Sequence, residues 1–121
     1  ARFRRAVLAS YNGRCCISGL AVPRLLIASH IVPWSEDHQN RLNPRNGLCL
    51  SALHDRAYDQ GLITVLPDFT IRVSTDLRST EADDFARRAI AVFDGHSIQL
   101  PERFKPDEAF LTSHAQRFGF L

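Results

Sequence analysis

The segment of residues 25–61 restricts the fold most, because a strand pattern, a polar loop, a second strand pattern and a helix pattern follow one another within it. Its first stretch, "LLIASHIVPW", is apolar with several β-branched residues and predicts a strand that ends near His30. Pro33 stops the strand because its ring removes a main-chain hydrogen-bond donor. The polar residues from there to Arg45 predict a surface loop.

The second half of this segment predicts a strand followed at once by a helix. "NGLCL" at residues 46–50 resumes an extended pattern. "SALHDRAYDQG" follows, with Ser51 as a candidate N-cap, several good helix formers, and Gly61 as a candidate C-cap. We therefore expect a short helix over residues 52–60.

Helical patterns lie near both ends of the chain. Apolar residues recur at helical spacing over residues 2–11, and Asn12-Gly13 is a stop signal, so we expect a packing helix there. "RCCISGL" at 14–20 alternates weakly and predicts a short strand or an ordered loop. Pro106 is suited to a helix start and predicts a last helix that reaches about residue 118.

The region between these helices predicts a β-hairpin and one more helix. Residues 62–74 hold two alternating segments joined at Pro67-Asp68, which is typical of a hairpin. "TEADDFARRAIAVFDG" at 80–95 offers Thr80 as a cap and acidic residues in the first turn, so we expect an amphipathic helix packed on the hairpin. The aromatic residues expected in the core are Phe85, Phe93, Phe110 and Phe118.

Length and charge limit the class of protein. A chain of 121 residues with 45% hydrophobic content predicts a single domain over residues 1–121 and excludes wholesale disorder. The net charge is only +2, which argues against strong non-specific DNA binding through the whole surface. Of the 15 basic residues, all but Lys105 are arginines, whose guanidinium suits phosphate. A GC-rich coding sequence would give the same bias.

The cysteines and the apolar runs indicate where the protein works. Cys15, Cys16 and Cys49 are odd in number and form no CxxC pair, so neither a disulfide framework nor a four-cysteine zinc site fits. Reduced thiols are typical of a cytoplasmic protein. No apolar run spans a bilayer and no signal peptide is visible, so we expect no membrane contact. The abrupt start without Met predicts a domain from a longer protein.

One ordered series of motifs resembles a known family. "SHIVPW…NPRNGLCL…HDRAYDQGL" resembles the HNH endonucleases, in particular their bacterial restriction-type branch, over residues 14–66. The resemblance implies an α+β fold with a ββα-metal (HNH) core, here with an additional β-hairpin and flanking helices. It also implies a catalytic set of His30, Asn46 and His54.

Two members of that set, His30 and Asn46, have simpler alternative interpretations. A lone histidine at a strand end is ordinarily a buried or half-buried imidazole bonded to backbone, whereas the resemblance makes His30 the general base. Asn46 would hold the loop between the strands through its side-chain amide and so fix the base. The alternative is a simple turn asparagine before Gly47.

The metal ligands implied by the resemblance lie on the predicted helix. Asp55 is nine positions after Asn46, the usual spacing in the family, and Asp59 follows four positions later on the same helical face. Two carboxylates suit Mg²⁺ or Mn²⁺, and His54 is a second candidate ligand. Many family members carry an acidic ligand directly before the base, where this chain has Ser29. This departure predicts weaker metal binding or a water in that place.

The remaining polar residues receive weaker predictions. Arg45 and Arg56 flank the motifs and are candidates for phosphate contacts, although a solvated surface role fits each equally well. Trp34 is expected to pack rather than to stack on a base. Nothing in the sequence assigns a role to His38 or His114.

The resemblance therefore predicts a metal-dependent DNA endonuclease, the cleavage domain of a restriction-type enzyme. Its partners would be DNA, an N-terminal target-recognition domain and a second copy in a homodimer. The alternative is a nucleic-acid-binding or scaffold module that keeps the HNH fold and has weakened catalysis, which Ser29 favours.

Overall fold

A computed structural model describes residues 1–33, 35–79 and 83–121 of the chain, and these residues form small antiparallel sheets surrounded by helices. The helices are α1 (Arg2–Ser10), α2 (Ala52–Asp59), α3 (Thr75–Arg78), α4 (Asp84–Ala89) and α5 (Glu108–Arg117). The strands are β1 (Leu26–His30), β2 (Gly47–Ser51), β3 (Ile63–Val65) and β4 (Ile71–Val73). The prediction of an α+β fold is confirmed.

Strands β1 and β2 pair antiparallel and lead directly into α2. The register places Leu26 opposite Ser51 and His30 opposite Gly47. The Ser51 hydroxyl accepts a hydrogen bond from the His54 amide at 3.1 Å, so this residue caps α2 as the sequence predicts. Gly61, with φ of 72°, adopts the left-handed conformation just after the helix. Two strands and a helix therefore form the centre of the fold in the predicted order.

Helix α1 covers one side of the β1–β2 pair. Phe3 and Val7 are buried on its inner face, one helical turn apart. The Arg4 guanidinium donates to the carbonyl oxygens of Leu26 at 2.5 Å and Pro23 at 2.8 Å, which ties the helix to the start of β1. These contacts attach the N-terminal helix to the sheet near both ends of β1.

The second sheet lies against the C-terminal helix. Strands β3 and β4 pair antiparallel, with Ile63 opposite Val73, as expected for the predicted hairpin. Thr64 on β3 is fully buried and its hydroxyl lies 2.8 Å from the His114 Nδ1 on α5. Helix α5 begins at Glu108 with Asp107 as its N-cap, slightly later than the predicted start at Pro106.

The predicted helix over residues 80–95 is wrong in its length. Only α4 is α-helical, because Ile90 leaves the helical conformation at φ −128° and a 3₁₀ turn over Ala91–Phe93 follows. Asp83 caps α4 through a 3.0 Å bond from the Ala86 amide. Thr80, the predicted cap, lies outside the described residues, as does Trp34 with its predicted packing role.

The prediction of core aromatic residues is wrong for Phe85, which is 66% exposed. Helix α4 has no buried residue, so its amphipathic spacing does not correspond to a buried face. Phe93, Phe110 and Phe118 are half-buried.

The stretch "RCCISGL" forms an ordered loop in which Cys15 and Cys16 are buried, and Cys49 is buried on β2; all are free thiols. Within the described residues, no helix combines the length and the apolar character needed to cross a membrane.

Candidate active site

An open cleft of about 470 Å³ lies between the end of β1 and one face of α2. Its polar lining consists of Ser29, His30, Ser35, Asp55 and Asp59. The structure thus brings together the predicted base and both predicted carboxylate ligands, which are far apart in the sequence. The buried Ser29, which stands where the family pattern has an acid, also lines the cleft.

His30 is half-buried, and two neighbours contact its ring. Its Nε2 lies 2.7 Å from the Arg41 carbonyl oxygen. Since a carbonyl oxygen can only accept, Nε2 carries the proton and the neutral ring keeps its lone pair on Nδ1. The Phe3 ring stacks on the imidazole with centroids 4.1 Å apart and planes inclined by 6°. Among the described residues, Nδ1 has no hydrogen-bond partner.

Asn46 is completely buried and ties together the loop between β1 and β2. Its Oδ1 accepts from the Val32 amide at 2.8 Å, and its Nδ2 donates to the Val32 carbonyl at 3.0 Å. The same Nδ2 donates to the Asn40 carbonyl at 3.3 Å. Asn40 precedes Arg41, whose carbonyl accepts the bond from His30. The buried Asn46 amide therefore links the residues after β1 to the following loop, and it is not a simple surface turn residue.

The carboxylates of α2 supply hard oxygen ligands to the cleft. Asp55 and Asp59 are four residues apart and line the same cleft, which is the spacing of neighbours on one helical face. Across the described ranges, no three His, Cys, Asp or Glu side chains are arranged as a ready-made metal site. Two carboxylates in an open cleft still fit an ion such as Mg²⁺, which binds through one or two carboxylates and keeps several waters.

His54 lies on a different, buried face of α2 and does not line the cleft. It is 4% exposed, and its Nε2 donates to the Ala89 carbonyl at 2.9 Å. The Ser51 hydroxyl lies 2.6 Å from Nδ1, so both ring nitrogens are engaged within the protein. Burial raises the pKa of the neighbouring Cys15 thiol, but hydrogen bonding around its sulfur, including the Ser18 amide at 3.3 Å, outweighs this and lowers it to about 6. The structure therefore separates His54 from Asp55 and Asp59 and does not support a shared metal site.

The two candidate phosphate-binding arginines also lie away from the cleft lining. The Arg45 guanidinium donates to the Lys105 carbonyl at 3.3 Å and lies 5.9 Å from the centre of the Phe104 ring. This side chain is thus turned toward the C-terminal part of the chain. Arg56 is exposed on α2, next in sequence to the cleft residue Asp55.

Sequence reasoning missed several groups that shape the site. Ser35 lines the cleft, yet a serine in a polar loop carries no signal. The Arg41 carbonyl carries no sequence signal either, because every residue has a carbonyl group. Phe3 was predicted only as part of a packing helix, and its contact with His30 depends on how α1 docks.

His114, to which the sequence assigned no role, is a buried structural residue. Its Nε2 donates to the Tyr58 carbonyl at 3.0 Å, and its ring stacks on the Tyr58 ring with centroids 3.6 Å apart. The Thr64 hydroxyl bonds Nδ1 at 2.8 Å. Burial lowers the pKa of His114 to about 4, although its bond to the Tyr58 carbonyl acts in the other direction. This histidine therefore joins α5 to the end of α2 as a neutral ring.

Comparisons with known proteins agree with this geometry. Residues 15–66 match the family model described as HNH endonuclease. The match begins at Cys15, includes every residue of the cleft lining and ends beyond β3, while α1, α4 and α5 lie outside it. No curated protein matches the chain.

Proposed function

Residues 15–66 form a domain of the HNH endonuclease family, and from this premise we propose that the chain is a metal-dependent endonuclease that hydrolyses phosphodiester bonds in DNA. One observation carries the proposal. The cleft joins His30, whose ring has one nitrogen bound and the other available, to the carboxylates of Asp55 and Asp59. That combination offers a base and an ion-binding pair in one open site.

His30 would act as the general base. A water bound beside Nδ1 would give its proton to that nitrogen as its oxygen attacks the phosphorus, and the P–O bond to one sugar oxygen breaks so that this oxygen leaves. The resulting imidazolium keeps its Nε2–H bond to the Arg41 carbonyl, which stabilises the positive charge. Asn46 would support this step at a distance, because its amide holds the loop that presents that carbonyl.

Asp55 and Asp59 would hold the divalent ion, and Mg²⁺ or Mn²⁺ suits their oxygen atoms best. A bound ion would supply charge neutralisation at the phosphate and at the leaving oxygen. Ser29 brings a neutral hydroxyl where the family pattern has a third acid, so the protein offers few charged ligands. His54 fits an interior hydrogen-bonding role better than metal binding or catalysis, because both of its nitrogens are engaged.

DNA contacts beyond the cleft are part of the same proposal. Arg56 is the better-placed candidate for a phosphate contact, since it is exposed on the helix that carries both carboxylates. Arg45 would first have to leave its bond to the Lys105 carbonyl. A restriction-type role, an N-terminal target-recognition domain, a homodimer and a cytoplasmic location complete the proposal, and the buried free thiols are compatible with the last.

A second candidate function rests on Ser29. A cleft with a hydroxyl in place of an acid, and without a ready-made three-ligand site among the described residues, also suits a DNA-binding or scaffold module with weakened catalysis. That module would bind DNA through the same face and leave its backbone intact.

A plasmid-nicking assay separates the two candidates. Supercoiled plasmid is incubated with the protein in Mg²⁺, in Mn²⁺, and in either ion with excess EDTA. We expect nicked or linear DNA with at least one ion and intact plasmid with EDTA. Plasmid that stays intact with both ions at high protein concentration, while a gel shift still detects binding, would favour the scaffold module.

A further inference from the structure

The N-terminal helix places an aromatic ring directly on the proposed base. The rings of Phe3 and His30 are nearly parallel, at 6°, with centroids 4.1 Å apart. Phe3 is 8% exposed, so its ring is held by the core on its other sides. Helix α1 lies outside residues 15–66, the part of the chain that matches the HNH family.

Gly47 makes room for this contact. It lies opposite His30 in the β1–β2 ladder. A Cβ atom added to Gly47 would lie 2.9 Å from Phe3 Cζ and 2.5 Å from Val7 Cγ2, both closer than van der Waals contact allows. Its φ of −131° is ordinary extended backbone, so close approach of α1, rather than conformation, requires a glycine here. The missing side chain lets the Phe3 ring reach across the end of the strand pair.

The two neighbours of the imidazole restrain different motions. The bond from Nε2 to the Arg41 carbonyl fixes the direction of that nitrogen, but it tolerates a tilt of the ring about the bond. A flat ring stacked on the face opposes that tilt. Together they fix the line along which the Nδ1 lone pair points, while the ring edge stays open to the cleft.

We propose that Phe3 is a positioning residue for the His30 base, so that α1 is a functional part of the active site as well as a packing element. This inference rests on the proposed nuclease function for its kinetic consequence. Its structural consequence, a single orientation of the His30 ring plane, does not depend on activity.

The test compares Phe3→Leu with Val7→Ala. Both residues are buried on the same face of α1 and both contact the Gly47 position, but the stacking partner of His30 is Phe3. Leucine keeps apolar bulk and removes the flat ring. Phe3→Met, with a flexible unbranched chain, serves the same purpose if the leucine variant does not fold. The melting temperature of each variant reports how far the substitution destabilises the fold.

The first readout is ¹⁵N NMR of the histidine side chains in metal-free protein. In the wild type we expect the His30 nitrogens to report one tautomer, protonated at Nε2. Phe3→Leu should shift and broaden the His30 ring signals, because the ring can then tilt about its bond to the Arg41 carbonyl, while Val7→Ala should keep the wild-type pattern even if it melts at a lower temperature. An unchanged His30 pattern in folded Phe3→Leu or Phe3→Met would overturn the proposal.

The second readout is plasmid nicking with the ion that supports the wild type. We expect kcat of Phe3→Leu to fall about tenfold with KM changed by less than about twofold, because a misplaced base affects the reacting geometry and not DNA binding. Equal kcat losses in Phe3→Leu and Val7→Ala would reduce Phe3 to a packing residue. If the wild type itself does not cut DNA, the proposed function fails, and the NMR comparison still decides whether Phe3 orients His30.

Discussion

The two sides of helix α2 place histidine in opposite chemical situations. On the cleft side, His30 meets the helix carboxylates with one ring nitrogen bound to the Arg41 carbonyl. On the interior side, His54 and His114 are both 4% exposed and have both ring nitrogens hydrogen-bonded. A histidine whose two nitrogens are both satisfied by the protein has no lone pair left for chemistry.

His54 and His114 differ from His30 in the number of ring nitrogens that the protein binds. The interior rings connect elements: His54 joins α2 to the end of α4, and His114 joins α5 to the end of α2 and to β3. The cleft ring connects elements through one nitrogen only, which leaves the other available to a water.

The largest effect should come from His30→Ala. Loss of a general base typically lowers the rate by about 10²–10⁴-fold, and the half-buried position at a strand end should leave the fold intact. Nicking rates measure the loss of activity, and circular dichroism shows whether the fold is intact. His96→Ala, at an exposed position near Phe93, is the matched control and should cut at the wild-type rate. Full activity of His30→Ala would contradict the assignment of His30 as the general base.

Asn46→Ala should cost both stability and activity. The Val32 amide and carbonyl would each lose a partner, at about 1–3 kcal/mol apiece, so we expect about 4 kcal/mol less free energy of unfolding. Denaturant titration measures it. Asn43→Ala, in the same loop, removes a cap on the Arg45 amide and should cost about 1 kcal/mol. Similar losses in both variants would mean that Asn46 is an ordinary loop residue.

His114 should make the protein sensitive to acid. Its pKa is lowered by burial from 6.5 to about 4, so between these values the unfolded chain binds a proton that the native protein does not. The contribution of neutral His114 to the free energy of unfolding is therefore complete above about pH 6.5. It is lost as pH falls toward 4, by up to about 3 kcal/mol.

Denaturant titrations between pH 7 and pH 4 test this dependence. His114→Gln should be less stable at neutral pH but should lose less stability on acidification than the wild type. His96→Gln, at an exposed position, should follow the wild-type curve. Parallel curves for His114→Gln and the wild type would show that another group causes the acid sensitivity.

The smallest effect should be on metal binding. Asp55→Ala should weaken Mn²⁺ binding by roughly 10–100-fold in calorimetry, because a site with Ser29 in place of an acid has few other charged ligands. His54→Ala should leave the affinity near the wild-type value, although it should lower the melting temperature. The reverse pattern would place the metal on the interior side of α2 and make the histidine its ligand.

Local patterns predicted the elements around the site better than those far from it. Ser51 and Gly61 carry strong capping signals, and α2 begins and ends within a residue of the prediction. The pattern over residues 80–95 predicted one long helix, and there tertiary packing prevailed: the chain leaves α-helix at Ile90 and Phe85 remains exposed. Amphipathic spacing says which residues share a face, but not how much of that face is covered.

The order of strand, loop, strand and helix, the capping of α2, and the spacing that sets Asp55 and Asp59 on one face follow from local sequence, because each depends on neighbours within a few residues. The difference between His30 and His54 in bonded ring nitrogens depends on tertiary contacts. Apart from Ser51, a near neighbour of His54, their partners are Phe3, Arg41 and Ala89, which are far away in the chain, and two of these contacts use backbone carbonyls. Every residue has a carbonyl, so no sequence pattern reveals which one a folded chain will turn toward an imidazole.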